Sequence, residues 1–196
     1  IDSVDEVKRL LNRVETDYFQ IYDHFYHKLR GAGQPISTWL PLVCDAKYYI
    51  PSNDFSIMIS TAMFEDVFLP GLIRECQFLD RSIYHLDGPG ALRHLDAILS
   101  IAELDALQFV PGAGREGYHK WVQVYRKTQT MGKAIEVFCT FQEIDAVTET
   151  LDPHGVYLNV SGVPSRDAAE AMLKRLESWG CGHIHPLVRA EGNAHG

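Results

Sequence analysis

Short apolar segments alternate with amphipathic segments along most of the chain, and this alternation constrains the fold more than any other feature of the sequence. Short apolar runs bounded by turn residues are typical of buried strands, and longer segments with an apolar residue every three or four positions are typical of helices. Strands separated by helices pair in parallel, because the chain needs a long crossover to return to the same end of the sheet. The sequence therefore predicts an α/β protein.

The alternation predicts about five strand and helix units after a long first helix. Ser3 and Glu6 form a capping-box pattern, and the apolar spacing after them predicts a helix to about Arg30. Two architectures fit such a series: an open doubly wound sheet, or part of an eight-stranded barrel. We expect one domain over 1–180 and a C-terminal tail over 181–196. The predicted strands are 39–44, 81–85, 104–110, 134–139 and 156–160, and the predicted helices are 62–79, 91–100, 118–131, 143–151 and 165–179.

Composition excludes several classes of partner. The chain has 26 acidic and 18 basic residues and a formal net charge of -8, so we predict no nucleic-acid partner, because phosphates are bound by clustered basic residues. No apolar run approaches the roughly 20 residues that span a bilayer, so we predict no membrane partner. The four cysteines are far apart in sequence. This spacing predicts reduced thiols, and the short apolar runs, with no secretory pattern at Ile1-Asp-Ser3, predict a cytoplasmic location.

The richest candidate site lies at the end of the second predicted strand, in the segment 84–90. Reactive groups in parallel α/β folds gather at the carboxyl ends of strands. His85 and Asp87 would point to the same side of an extended strand, where they could bind a divalent metal or transfer a proton. An equally weighted alternative is that Asp87 caps the following helix and fixes the His85 ring. We therefore predict His85 and Asp87 as catalytic residues, and the alternative that Asp87 only caps the helix and fixes the His85 ring stays open.

Other candidates lie at the remaining strand ends and in the aromatic and polar loop 48–56, which is predicted to line a pocket or else to cover it without touching a ligand. Cys139 ends a strand and could add a thiolate to a metal, most simply zinc, held by His85 and Asp87. A buried free thiol is the commoner role of such a cysteine. The predicted substrate-binding residues are Tyr49, Asp54, Phe55, Ser56, Gln108, Asn159 and Ser161.

Several motifs resemble one enzyme family. They are Ile83-Tyr-His-Leu-Asp-Gly88, His94-Leu-Asp96, Leu104-Asp-Ala-Leu-Gln108 and Pro111-Gly112, together with Asp54-Phe-Ser56, the segment 60–70 and Asn159-Val-Ser-Gly162. In order and spacing they resemble the uroporphyrinogen decarboxylase-like superfamily, which includes cobalamin-linked methyltransferases. The resemblance covers about 39–179. It implies that the chain is the C-terminal part, about five β/α units, of a TIM (β/α)₈ barrel with its site at the carboxyl mouth.

This resemblance implies that the first three barrel strands lie outside the chain. A partial barrel exposes two strand edges and the side chains that should fill its interior. We therefore expect the missing N-terminal half of the barrel, or self-association, as a partner.

The functional residues of the family match in part. Decarboxylase members carry a histidine after the last strand, where this chain has Asn159-Val-Ser-Gly162. Methyltransferase members bind zinc through a His-x-Cys pair, here His85-Leu-Asp87, and a further cysteine near the position of Ser161. The resemblance therefore implies transfer of a one-carbon methyl group linked to a corrinoid, on a small or corrinoid-bound substrate. Decarboxylation of a tetrapyrrole acid and a noncatalytic half-barrel that binds a partner are the alternatives.

Overall fold

The computed structural model describes residues 3–113 and 117–181. Of the predicted tail 181–196, all residues after Cys181 lie outside this part of the chain. The helices are α1 (Val4–Gly31), α2 (Thr61–Met63), α3 (Leu69–Phe78), α4 (Leu95–Leu99), α5 (Tyr118–Thr130), α6 (Ile144–Thr150) and α7 (Arg166–Cys181). The strands are β1 (Ile36–Ser37), β2 (Val43–Cys44), β3 (Tyr48–Tyr49), β4 (Arg81–Asp87), β5 (Ala106–Val110), β6 (Ala134–Thr140) and β7 (Val156–Ser161). A π-helical turn, Phe64–Phe68, joins α2 to α3.

Strands β3 to β7 form one five-stranded sheet in which every neighbouring pair is parallel. The strand order follows the chain order, β3-β4-β5-β6-β7. A doubly wound sheet reverses its order at a switch point, and this sheet contains no such reversal among the described strands. The predicted α/β class with a parallel sheet and flanking helices is confirmed.

The predicted first strand, 39–44, is wrong. Its end instead forms β2, which pairs with β1 in a separate antiparallel ribbon, Ile36 opposite Cys44. The first strand of the main sheet is β3, which pairs with the start of β4 and is prolonged by a bridge between Ser52 and His85. Pro41 accounts for the difference, because it has no amide hydrogen to donate and so cannot lie inside a central strand.

The two faces of the main sheet have different chemistry. One face packs into the principal hydrophobic core under the helices, with Tyr84, Leu107 and Val137 among its fully buried side chains. Successive residues of a strand point to opposite faces, so His85, Asp87, Gln108, Glu136 and Asn159 lie on the other side. We call this second side the polar face.

Helix α1 packs along α3 and the edge of the sheet. The Tyr22 hydroxyl donates to the Tyr48 carbonyl oxygen at 2.8 Å and accepts from the Tyr48 amide at 2.7 Å. Helix α1 also exposes apolar side chains at helical spacing, Leu10, Val14, Ile21, Phe25 and Leu29. No helix in the described ranges is both long enough and apolar enough to cross a membrane.

Candidate functional site

Three side chains on neighbouring strands form a hydrogen-bonded chain across the polar face. The sheet register places His85 opposite Gln108 and Gln108 opposite Glu136, so all three share one row. His85 Nδ1 lies 2.6 Å from Gln108 Oε1, and Gln108 Nε2 donates to Glu136 Oε2 at 2.6 Å. The row therefore connects an imidazole to a carboxyl group through one amide.

Glu136 is the buried end of this chain. It is 3% exposed and Gln108 is 4% exposed. Burial raises the pKa of Glu136, because a carboxylate loses its hydration; hydrogen bonds from Gln108 and Asn159 and the nearby His85 act in the opposite direction. Asn159 Nδ2 donates to Glu136 Oε1 at 3.5 Å. Buried carboxyl groups with a raised pKa and defined partners are typical of sites that handle protons.

Gln108 couples the proton on His85 to the charge on Glu136. An ionised Glu136 only accepts hydrogen bonds, so the Gln108 amide nitrogen faces it and the amide oxygen faces His85. His85 Nδ1 must then carry the proton, and in the neutral ring Nε2 is free to accept one. In this arrangement Nε2 is the nitrogen of the neutral His85 ring that could accept a proton.

The Trp39 side chain lies beside the His85 imidazole. Its indole Nε1 donates to Gln108 Oε1 at 3.5 Å, and its ring meets the His85 ring edge-on with 5.9 Å between centroids. Trp39 is 56% exposed. Tyr49, a predicted substrate-binding residue, also contacts Trp39, with 6.3 Å between ring centroids. The ribbon formed by β1 and β2 thus contributes an aromatic side to the polar face.

The remaining predicted residues of loop 48–56 belong to a 3₁₀ turn, Asp54–Met58. Asp54 is exposed, and the Phe55 ring packs against Phe68 at 6.2 Å between centroids. Ser56 is buried, and its carbonyl oxygen lies 2.9 Å from His94 Nε2. These contacts hold the turn against the helical layer and do not join the hydrogen-bonded row of His85.

Asp87 and Ser161 lie at the carboxyl ends of their strands and are exposed. The Ser161 hydroxyl donates to the Cys139 carbonyl oxygen at 3.5 Å. The alternative role of Asp87 as a helix cap is not observed, because the next helical turn is preceded by Gly88, with no side-chain cap. Gln108, rather than Asp87, fixes the His85 ring.

The structure does not bring Cys139 to His85 and Asp87. Cys139 is 5% exposed and belongs to the core on the helical face, whereas Glu136, three residues earlier, lies on the polar face. Burial raises the pKa of the Cys139 thiol to about 11 and keeps it neutral. The described residues contain no group of three His, Cys, Asp or Glu side chains that could hold a metal ion. His85, Asp87 and Cys139 therefore do not fit a zinc ion.

Sequence reasoning missed Glu136 and Trp39. A signal for Glu136 exists, because it is the one charged residue in the otherwise apolar segment 134–139, and a charge inside a buried strand requires a partner. No comparable signal marks Trp39, which reaches His85 only through the fold of the ribbon.

Comparison of the chain with protein-family models, with curated proteins and with solved structures gives no match.

Proposed function

We propose that the chain is the C-terminal part of a (β/α)₈ barrel and that its polar face is the inner wall of that barrel. Five parallel strands in chain order, with helices on one face, support this architecture. β3 and β7 lie at the two edges of the sheet within the described residues. Unpaired edges favour association, so the other barrel strands, or a second copy of the chain, would complete the wall.

We propose that the protein is an enzyme of the uroporphyrinogen decarboxylase-like superfamily that transfers a methyl group, with its site on this wall. The observation that carries the proposal is the row of His85, Gln108 and Glu136, which holds the His85 Nδ1 proton in place and directs Nε2 toward a substrate. Free Cys44, Cys76 and Cys139 agree with the reducing, cytoplasmic location that belongs to this proposal.

His85 would act as a general acid in the transfer. When the bond between the methyl carbon and a nitrogen or oxygen breaks, both electrons stay on the heteroatom, which takes the proton from Nε2 of the protonated imidazole. The methyl carbon moves to a nucleophilic acceptor, in this proposal the reduced corrinoid of a partner protein. The ring finishes neutral with its proton on Nδ1, the tautomer that Gln108 stabilises.

The charges around the site favour methyl transfer over decarboxylation of a tetrapyrrole acid. A polycarboxylate needs basic side chains, but the polar face carries Asp87 and Glu136. Arg81 lies at the amino end of β4, 3.9 Å from Asp105, and Arg74 pairs with Glu15 on α1 at 2.6 Å. These charges suit an uncharged methyl donor, whose leaving nitrogen or oxygen takes the proton, better than an anionic one.

The experiment is a methyl-transfer assay with the natural full-length protein and chemically reduced cobalamin. Small N-methyl and O-methyl compounds serve as donors, and methylcobalamin formation is followed by absorbance. We expect His85→Gln to lower the rate at least about 100-fold, the usual contribution of a general acid. His27→Gln, an exposed histidine on α1, is the matched control. A rate that survives His85→Gln would refute the proposed role.

Two further outcomes would favour the alternatives. Depletion of uroporphyrinogen, with no methyl transfer, would support a decarboxylase. Specific capture of a corrinoid protein without turnover would support a noncatalytic half-barrel.

A further inference from the structure

A cavity lies on the opposite side of the sheet from the polar face. It is lined by α1, by the continuous helical segment from α2 through α3, and by Tyr84 of β4. Its volume is about 620 Å³, within the range of pockets that bind small molecules. Apolar side chains form most of the walls, among them Leu11, Phe19, Phe64, Val67 and Leu72.

Two tyrosine hydroxyls in this cavity have no regular hydrogen-bond partner among the described residues. They belong to Tyr84, which is 1% exposed, and to Tyr18. The Asn53 backbone lies close enough to Tyr84, and the Glu75 carboxyl close enough to Tyr18, for electrostatic interaction, but neither hydroxyl has a partner at regular hydrogen-bond distance and angle. A buried hydroxyl without a partner costs on the order of 1–3 kcal/mol, so these groups point to a polar atom supplied by a ligand.

The cavity also has one carboxyl group in excess. Its basic side chains are already paired: Lys8 with Asp66 and Arg74 with Glu15, each at 2.6 Å. No basic side chain in the described ranges pairs with Glu75 in this way. The pKa of Glu75 is raised to about 7, mainly by burial and to a smaller extent by the nearby Glu15, while the interaction with Tyr18 acts in the opposite direction. A positively charged ligand would therefore gain a partner that the protein does not provide.

We propose that this cavity binds a small organic amine in its ammonium form, with an apolar body of the size of one aromatic ring. The ammonium group pairs with Glu75 and donates hydrogen bonds to the Tyr18 and Tyr84 oxygens. Aromatic rings lining a pocket attract cations through their negative faces, and the apolar walls accept the body of the ligand. This site is separate from the row of His85, so it does not depend on the proposed methyl transfer.

The experiment measures binding of three ligands of one shape to the full-length protein by calorimetry at pH 8. The probes are benzylammonium, benzyl alcohol and benzoate, which differ in the charge of one group. We expect benzylammonium to bind at least tenfold more tightly than benzyl alcohol, and benzoate not to bind. Equal affinities, or no saturable binding of benzylammonium, would overturn the proposal.

Two variants locate the site. Glu75→Gln should weaken benzylammonium binding at least tenfold and change benzyl alcohol binding less than twofold, whereas Glu65→Gln, an exposed carboxyl group outside the lining, should change neither. Unchanged benzylammonium binding in Glu75→Gln would refute the site. Tyr84→Phe, which keeps the ring, should weaken benzylammonium at least threefold. If circular dichroism shows that Glu75→Gln does not fold, Tyr84→Phe is used as the test instead. Unchanged benzylammonium binding by Tyr84→Phe would then refute the site.

The pH dependence gives an independent readout. Benzylammonium affinity should rise between pH 6 and pH 8 as Glu75 loses its proton, and the rise should be absent in Glu75→Gln. A rise that persists in this variant would assign the effect to another group and contradict the role of Glu75. The other charged or titratable groups around the cavity are Lys8, Glu15 and Tyr18 of α1, Asp66 and Arg74 of the helical segment, Asp54 of the adjoining turn, and Tyr84 of β4.

Discussion

Replacing Glu75 by glutamine should stabilise the folded protein by an amount that grows with pH. Burial raises the pKa of Glu75 from an ordinary value of 4.5 to about 7 in the folded state. The folded chain therefore holds this proton more tightly than the unfolded chain. The resulting contribution to stability is complete below pH 4.5 and is lost as the pH rises to 7. Glutamine keeps the shape of the side chain and cannot ionise, so the variant does not suffer this loss.

The size of the effect follows from the two pKa values. A rise from 4.5 to about 7 corresponds to about 3 kcal/mol between the charged and neutral forms of the carboxyl group. At pH 5 about 1 kcal/mol of this has been lost, and at pH 8 nearly all of it. The advantage of Glu75→Gln over the natural chain should therefore increase by about 2 kcal/mol between pH 5 and pH 8.

Urea denaturation at both pH values, followed by circular dichroism, measures this difference. With a slope of about 2 kcal/mol per molar urea, the midpoint of Glu75→Gln should gain about 1 M on the natural chain between pH 5 and pH 8. Glu65→Gln is the control, because its carboxyl group is exposed. A gain no larger than that of the control would show that Glu75 is not held in a desolvated site, and the argument for an excess buried carboxyl group would fail.

Three further predictions concern the polar face and two turns that contain glycine. Gln108→Leu removes the donor to the buried Glu136 carboxyl group and should cost about 2–3 kcal/mol in urea unfolding; a loss below about 0.5 kcal/mol would contradict the bond. Nitrogen NMR of the neutral His85 ring should show the proton on Nδ1, and a proton on Nε2 instead would refute the role of Gln108. Gly155→Ala should destabilise the fold more than Gly33→Ala. Both glycines have a positive φ, of 67° and 71°, but only a Cβ added at position 155 would meet a neighbouring atom, at 3.0 Å. Equal losses of stability would refute this contact.

Most strands of the main sheet can be predicted from the local sequence pattern. Predictions for 81–85, 104–110, 134–139 and 156–160 correspond to β4, β5, β6 and β7, with boundaries within two residues of those observed. Apolar runs between turn residues define such strands locally, because each is buried on the helical side. The first strand was misplaced because β3 is only two residues long and is held in the sheet by pairing with β4, which no local pattern encodes.

The candidate site was predicted in part. His85, Gln108 and Asn159 were singled out because they lie near strand ends; Gln108 and Asn159 donate hydrogen bonds to Glu136, and His85 is linked to it through Gln108. Their catalytic and substrate-binding roles stay predictions. Cys139 was grouped with His85 on the basis of strand position alone, but strand position does not say which face of the sheet a side chain reaches.

The sequence by itself determined the α/β class, the parallel strands β4 to β7 and the location of His85 and Asp87 on one strand, because these depend on periodicities that span a few residues. Only the tertiary structure decided which side chains meet. The register between β4, β5 and β6 aligns His85, Gln108 and Glu136 and turns Cys139 to the opposite face, and the packing of α1 on α3 encloses Glu75 and Tyr84. Register and helix packing arise from contacts between segments far apart in the chain, and a change of one residue in register reverses the face of every side chain on a strand.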